Sequence, residues 1–243
     1  MALQEYKRKR RFESTPEPPP KLESKKNEHR FVVQKHRASR LHYDFRLEME
    51  GVLKSWAVPK GPPLDPNDKR LAMMVEDHPV SYFDFEGNIP PGNYGAGTVM
   101  VWDTGAWEPL GDPAVMLQKG DLKFRLHGKK LKGEFALVHM RSWRAGSKGN
   151  EWLLIKKRDP YAEDFDANDD AMDYSVLTRR SLDEIAGDKK SEAWQSNRKA
   201  AGKRGEKNAW LRRALPRQRK RKPAATGRNQ RKSGGFLRTQ KRN

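Results

Sequence analysis

Between Leu41 and Glu48 apolar and polar residues alternate without a break, Leu-His-Tyr-Asp-Phe-Arg-Leu-Glu. Successive side chains of a β-strand point to opposite faces. Leu41, Tyr43, Phe45 and Leu47 therefore share one face, and His42, Asp44, Arg46 and Glu48 the other. The polar face of a half-buried strand is usually Thr, Lys, Ser and Glu. This one carries imidazole, carboxylate and guanidinium, the groups that hold a divalent metal and a phosphate, with His36 six residues upstream of His42 as a further ligand. Shorter strand-like runs surround it: Phe31-Val32-Val33-Gln34, Trp56-Ala57-Val58, and residues 71–75, 123–126, 133–139 and 152–156. Residues 98–102 lead into Asp103-Thr104-Gly105, which reads as a hairpin turn toward Trp107. Gly and Pro punctuate these runs. The pattern predicts a mainly β fold, a closed or nearly closed β-barrel with a polar active-site lumen and short flanking helices.

Read as one strand, residues 70–78 place Arg70, Ala72, Met74, Glu76 and His78 on a common face, with Tyr82 just beyond Pro79. Two strands with charged faces are costly inside a barrel unless those groups are paired or bound to metal. If both faces line one lumen, they make a compact polar pocket.

Composition divides the rest of the chain. Residues 1–30 form a polar arm containing Pro16, Pro18, Pro19 and Pro20, and residues 31–160 hold the barrel. Residues 161–197 combine an acidic segment (Glu163, Asp164, Asp166, Asp169, Asp170 and Asp173) with a short helix expected from the capping-box spacing Ser181-Leu182-Asp183-Glu184. Residues 198–243 form a basic tail, expected to be disordered. The 243-residue chain has net charge +19, yet the tail alone holds 18 Lys and Arg against one acid, Glu206. That leaves 33 basic and 31 acidic residues in 1–197, a net of +2, so the excess charge belongs to the tail. Nucleic acid is the partner such a tail fits, because each neutralised phosphate releases counterions.

The chain has no cysteine, which excludes disulfides and thiolate-bound zinc and fits a reducing cytoplasm. No apolar run approaches the ~20 residues needed to span a bilayer, so no membrane association is expected. The basic stretch from Lys7 to Arg11 leads into no apolar h-region, so no secretory signal is expected either.

The chemistry of the two charged faces assigns roles. His36, His42 and Asp44 suit Mn²⁺, Zn²⁺, Fe²⁺ or Co²⁺ and leave positions open for substrate or water. Arg46 and Arg70 are fork-shaped donors for phosphate, surface ion pairing being the alternative for both. His78, beside Glu76, is placed to protonate a leaving oxygen or stabilise developing charge. His127 and His139 read as structural. The glycine-rich Pro91-Gly92-Asn93-Tyr94-Gly95-Ala96-Gly97 lacks the Lys-Ser/Thr ending of a phosphate loop and reads as a turn. The paired His-x-Thr/Ser of two-histidine phosphoesterases, the Lys-x-Asp-Gly of nucleotidyl-transferring ligases and Gly-x-Ser-x-Gly are all missing.

Several segments, in order, resemble the 3′-phosphoesterase domain of the bacterial end-joining DNA ligase D. They are Phe31-Val-Val-Gln-Lys-His36, Leu41 to Glu48, Gly51-Val-Leu-Lys-Ser-Trp-Ala-Val-Pro-Lys-Gly-Pro62, Glu76-Asp-His-Pro79, Phe85-Glu-Gly-Asn-Ile-Pro-Pro-Gly-Asn-Tyr-Gly95, Trp102-Asp-Thr-Gly105 and Trp152-Leu-Leu-Ile-Lys156. The resemblance runs from about Tyr6 to Asp159, with a weaker echo at residues 175–186, and no ligase or primase-polymerase sequence accompanies it. It implies a β-barrel and a manganese-dependent DNA-repair enzyme, a stand-alone phosphoesterase acting in the bacterial cytoplasm at the nucleoid. That enzyme removes a 3′-terminal ribonucleoside and then the remaining 3′-phosphate, leaving a 3′-hydroxyl for ligation. DNA is the implied partner, with Ku and a separate DNA ligase as candidates. By motif position the resemblance makes His36, His42 and Asp44 metal ligands, and Arg46, Arg70, His78, Tyr82 and Glu76 catalytic or phosphate-contacting. Gln34 and Lys60 match further site positions, and Arg10 and Glu17 bring the arm into the site. Arg10-Arg11-Phe12 departs from the family's Arg-Asp-Phe, and this change of charge implies an altered balance between the diesterase and monoesterase steps. A non-catalytic DNA-end-binding module is the alternative from another class, and an RNA-processing phosphoesterase a third.

Overall fold

A computed structural model of the chain describes residues 3–8, 28–90, 95–141, 146–163, 166–188 and 192–193. Arg10, Arg11, Glu17 and the basic tail lie outside the described residues. Those described fall within one unit, Met1–Glu206; a second, Lys207–Asn243, lies wholly outside them.

In chain order the elements are α1 (Gln4–Arg8), β1 (Arg30–Arg37), β2 (Leu41–Met49), β3 (Val52–Val58), β4 (Lys69–Met74), β5 (His78–Pro79), β6 (Gly87–Ile89) and β7 (Gly97–Pro109). Then follow α2 (Pro113–Lys119), β8 (Asp121–Gly128), β9 (Lys132–His139), β10 (Glu151–Lys156), α3 (Leu182–Gly187) and β11 (Glu192–Ala193). Neighbouring strands run in the order β1-β2-β3-β4-β10-β9-β8-β7, all antiparallel, and β7 pairs back onto β1. Eight strands thus close a barrel, as the alternating pattern predicts. β5 adds to β3, and β6 and β11 extend from β7. No helix among the described residues is long and apolar enough to cross a membrane.

The apolar face of β2 points inward. Phe45 lies 5.9 Å from Phe124 of β8, ring centre to ring centre, and Tyr43 lies 5.4 Å from Trp102 of β7. These strands are not neighbours of β2, so the contacts cross the interior. Trp56, Trp107, Phe135, Leu137, Trp152 and Leu154 fill the remainder. Each such side chain contributes about 1.5–3 kcal/mol of burial.

An interior packed with rings has no room for hydrated charge, which corrects the expectation of a polar lumen. By parity, His42, Asp44 and Arg46 project from the outer face of the wall. A second apolar cluster covers that face: Tyr6 of α1, Leu53, Tyr82, Phe83, Phe85, Ile89, Val99 and Val101.

Two further expectations change for a common reason, a one-residue slip. β4 pairs with β3 through Trp56↔Met74, but β5 pairs through Leu53↔His78, one residue out of step. The run 70–78 is therefore two strands, and the extra residue turns His78 to the opposite face from Arg70. Likewise Asp103-Thr104-Gly105 is no hairpin turn. β7 continues through it, with a slip in its pairing to β1 after Val33↔Asp103. The slip lets Trp102 and Trp107, five positions apart, both reach the interior.

The Ser181 capping box forms as expected at the start of α3, with Leu182 and Ile185 buried against the core. α2 is an addition to the sequence reading, capped by Asp112, opened by Pro113 and ended by left-handed Gly120.

Candidate metal centre and phosphate site

Pairing register builds the site. A three-residue link, Ala38-Ser39-Arg40, turns β1 into β2 and sets His36 directly opposite His42 and Gln34 opposite Asp44. Asp44 is thus diagonal to His36 and two residues from His42 on the same outer face. Across on β3, Ala57 faces Asp44 and Ser55 faces Arg46. Alanine offers only a methyl group there, whereas serine offers a hydroxyl.

The three groups offer ligand atoms within 4.8 Å of one another. Asp44 Oδ2 is 3.8 Å from His36 Nδ1, Asp44 Oδ1 is 3.7 Å from His42 Nε2, and the two rings are 4.8 Å apart. Two backbone carbonyls settle which nitrogen carries each proton. His36 Nε2 donates to Gly95 O at 2.9 Å, and His42 Nδ1 donates to Arg40 O at 3.0 Å. A carbonyl only accepts, so the lone pairs sit on His36 Nδ1 and His42 Nε2, the two atoms that face Asp44. Two neutral imidazoles and a carboxylate in this arrangement are a donor set for a divalent metal, with positions left for water or substrate.

Electrostatics keeps His36 and Asp44 in ligating form. Burial, and then the neighbouring His42, pulls His36 down to about 4, so it is neutral at physiological pH. Burial pushes Asp44 up, but the Arg46 guanidinium and the two imidazoles outweigh it and hold the carboxyl below its ordinary value.

Arg46 is almost fully buried and held from three sides. Its Nη2 donates to Asp44 Oδ2 at 3.0 Å, Nη1 to Ser55 Oγ at 2.8 Å, and Nε to Gln34 Oε1 at 2.8 Å. The guanidinium lies 5.2 Å from the centre of the Tyr82 ring. Gln34 Nε2 in turn donates to the carbonyls of Tyr82 and Phe85, which ties the covering segment to the same guanidinium. His78 joins from β5, its ring 5.1 Å from Tyr82 and 5.9 Å from Tyr6, with Nδ1 donating to Glu76 O at 2.9 Å. Glu76 therefore contributes its backbone to the orientation of His78.

The structure thus gathers His36, His42, Asp44, Arg46, Gln34, Tyr82 and His78 on one face. Arg70 and Lys60 stand apart from them, together at the barrel rim. Arg70 is on the inward parity of β4, paired with Leu154, and donates to the Lys60 carbonyl at 3.4 Å. Its guanidinium pairs with Asp68 and lies 3.7 Å from Asp166, while Nε is buried without a partner among the described residues. Glu48, though on the outer face, serves an ion pair with Arg30 at 2.8 Å. His127 approaches Glu108 and His139 donates to Gly149 O, both outside the triad. The sequence reading missed Ser55 and the carbonyls of Gly95 and Arg40. Only the register of the hairpin could have pointed to Ser55, and carbonyls leave no trace in residue type.

Residues 34–139 match the sequence family described as the DNA Ligase D 3′-phosphoesterase domain. The chain is 53% identical over 184 residues to the Multifunctional non-homologous end joining protein LigD of Pseudomonas aeruginosa, covering 74% of this chain and 22% of that protein. It is 41% identical over 166 residues to the protein of that name from Mycolicibacterium smegmatis, covering 65% and 21%. With the Multifunctional non-homologous end joining DNA repair protein LigD of Mycobacterium tuberculosis it shares 40% over 171 residues, covering 68% and 21%. The chain spans about a fifth of the length of these relatives. The matched region contains the whole triad, together with Arg46, His78 and Tyr82. Residues 34–139, which carry this polar face, thus match the DNA ligase D 3′-phosphoesterase domain family.

Proposed function

We propose that this chain is a metal-dependent phosphoesterase that processes DNA 3′ ends, removing a 3′-terminal ribonucleoside and then the 3′-phosphate to leave a 3′-hydroxyl. The observation that carries this reading is the shared carboxylate: Asp44 faces both imidazoles and accepts from Arg46. A ligand cluster and a phosphate donor are thereby joined at one atom group.

His36, His42 and Asp44 would hold the ion, Mn²⁺ in this reading. When bound it supplies a Lewis acid for a phosphoryl oxygen and a means to activate water. The remaining work falls to the protein. Arg46, locked by Gln34, Ser55 and Asp44, keeps a guanidinium beside the ligands at no cost in rearrangement. Tyr82 lines the same side through its ring contacts with Arg46 and His78. His78, its Nδ1 proton held by Glu76 O, would act as the imidazolium, giving the Nε2 proton to a departing oxygen. Arg70 and Lys60, at the rim, suit contacts to the substrate strand away from the reacting phosphate, once Arg70 exchanges Asp68 for a phosphate. Arg10 and Glu17 belong to the arm that this reading brings toward the site, and DNA, Ku and a separate ligase are its partners.

The test is a primer–template ending in one ribonucleotide, or in a 3′-phosphate, resolved on gels with Mn²⁺, Mg²⁺ or chelator. Manganese-dependent release of both products is expected. His42→Ala and Asp44→Asn should each reduce turnover more than ~100-fold, exceeding the 10–100-fold typical of groups that only support a ligand. Tight DNA binding by the wild type without turnover in any metal would leave a non-catalytic end-binding module in its place.

A further inference from the structure

Around the barrel rim from the triad lies a cavity of about 260 Å³, lined by Leu64, Lys129, Lys130, Lys132, Tyr161, Glu163, Met172 and Tyr174. Consecutive residues connect the two. His36 faces outward to the triad, while Lys35 turns inward and pairs with Asp173 at 3.0 Å, between two residues of the cavity wall.

The loop that carries the lysines is built in place. Asp103 accepts the backbone N–H groups of Lys129, Lys130 and Leu131 at 2.9, 3.0 and 2.8 Å. Gly128 makes this possible, since a Cβ there would come within 2.5 Å of Asp103 Oδ2. Lys130 is used structurally. Its ammonium donates to the carbonyls of Met172 and Tyr174 at 2.8 and 2.7 Å and lies over the rings of Trp102 and Tyr174. Arg179 packs on the same Tyr174 ring, 4.2 Å from its centre. Among the described residues, the side chains of Lys129 and Lys132 have no ion-pair or hydrogen-bond partner. Positive charge is therefore gathered on an ordered loop, with Glu163 as a carboxylate of the same wall.

We propose that this cavity holds a phosphodiester group of the nucleic-acid strand that runs across the triad, with Lys129 and Lys132 as its anion ligands. The inference rests on the phosphoesterase reading for the direction of the strand. The volume is below the ~300–1,000 Å³ of clefts that enclose a whole small molecule, which suits one anionic group. Tyr161, 53% exposed, offers a ring at the mouth for the adjoining base. Burial, helped by the Lys35 ammonium, draws Lys130 down to about 7 against the opposing carboxylates of Asp103 and Asp173.

The experiment uses the full chain with Lys129→Ser and Lys132→Ser combined, both exposed positions, and Lys119→Ser with Lys123→Ser as an equal-charge control. Fluorescence anisotropy of labelled DNA with a recessed 3′ end is measured across a salt series. The first pair should bind ~10-fold more weakly, with a log–log salt slope shallower by about 2. Turnover of a 3′-phosphorylated mononucleotide, too short to reach the cavity, should stay unchanged. Unchanged affinity and slope, or an equal effect from the control pair, would overturn the proposal. So would competition by millimolar inorganic phosphate that abolishes the difference between wild type and variant, which marks a free-anion site. If the wild type turns over no substrate but the binding difference persists, the phosphoesterase reading fails and the strand contact stands.

Discussion

The two faces of β2 are built on opposite principles. On the inner face Tyr43, Phe45 and Leu47 are each surrounded by several apolar side chains, and Phe45 alone touches rings from β1, β3 and β8. On the outer face the polar atoms of His42, Asp44 and Arg46 each answer to named partners. Apolar packing is non-directional and sums over many weak contacts, so it tolerates a change of shape but not a loss of volume. Hydrogen-bonded polar groups are directional, and a change of type is costly even where volume is kept. The inner face should govern stability and the outer face activity.

The strongest test of that division is Phe45→Ala. Truncating a fully buried ring at the centre of the barrel should destabilise by about 3–5 kcal/mol, read as a shift in the urea midpoint. Residual folded protein should still bind metal with wild-type affinity. A cost below ~1 kcal/mol would mean that the interior contacts across the barrel are looser than the ring distances indicate.

The outer face makes its own contribution to stability, and pH exposes it. His36 is held at about 4 in the fold, while an unfolded histidine titrates at 6.5. Between those values the unfolded chain binds a proton that the folded chain does not. Stability must then fall as pH drops from about 6.5 to about 4, by about 3 kcal/mol at most for a shift of this size. Asp44, held low, adds a loss of the same sign at more acid pH, as its carboxylate protonates. Thermal melts in chelator should show this decline in the wild type, and His36→Gln should flatten it between pH 4 and 6.5. A wild-type profile that is flat over that window would show that His36 is solvated, and with it that the cover over the outer face is open.

How far these features could be read from residue types follows the same contrast. Alternation on β2 separated the two sets of side chains correctly, because period two is intrinsic to a strand. It could not say which set faced inward; that depends on which partner face supplies the rings, and Trp56, Trp102, Phe124 and Phe135 lie far apart in the chain. His36 and His42 were legible as a pair once a hairpin joins them, since three linking residues put them opposite. Arg70 and His78 failed as a pair because one inserted residue between β4 and β5 reverses parity, and no residue type marks that slip. Asp103-Thr104-Gly105 carries the residues of a turn but spends them otherwise. Asp103 holds the 129–131 loop, and Gly105 passes under the His127 carbonyl where a Cβ would sit at 2.1 Å. The acidic residues 161–173 read as a separate segment, yet Tyr43 donates to the Ala167 carbonyl at 2.9 Å and Lys35 pairs with Asp173.

Ser55→Ala gives the smallest effect and the finest test of the comparison. Ser55 Oγ accepts from Arg46 Nη1 at 2.8 Å and donates to Leu53 O at 2.9 Å, so it fixes one corner of the guanidinium without touching the triad. Its removal leaves a charged donor buried without an acceptor, a cost of about 1–3 kcal/mol if the guanidinium stays in place. If Arg46 instead rotates away to recover a partner, stability is largely spared and phosphate positioning is lost. The two responses separate cleanly in measurement. A fall in the urea midpoint with little change in turnover would assign Ser55 to the packing of the wall. An unchanged midpoint with turnover reduced ~10-fold and manganese affinity intact is the expected result, because His36 and His42 keep their own carbonyl partners at Gly95 and Arg40. Loss of metal affinity would contradict the separation of ligands from phosphate donor, and would mean that Asp44 depends on Arg46 for its orientation.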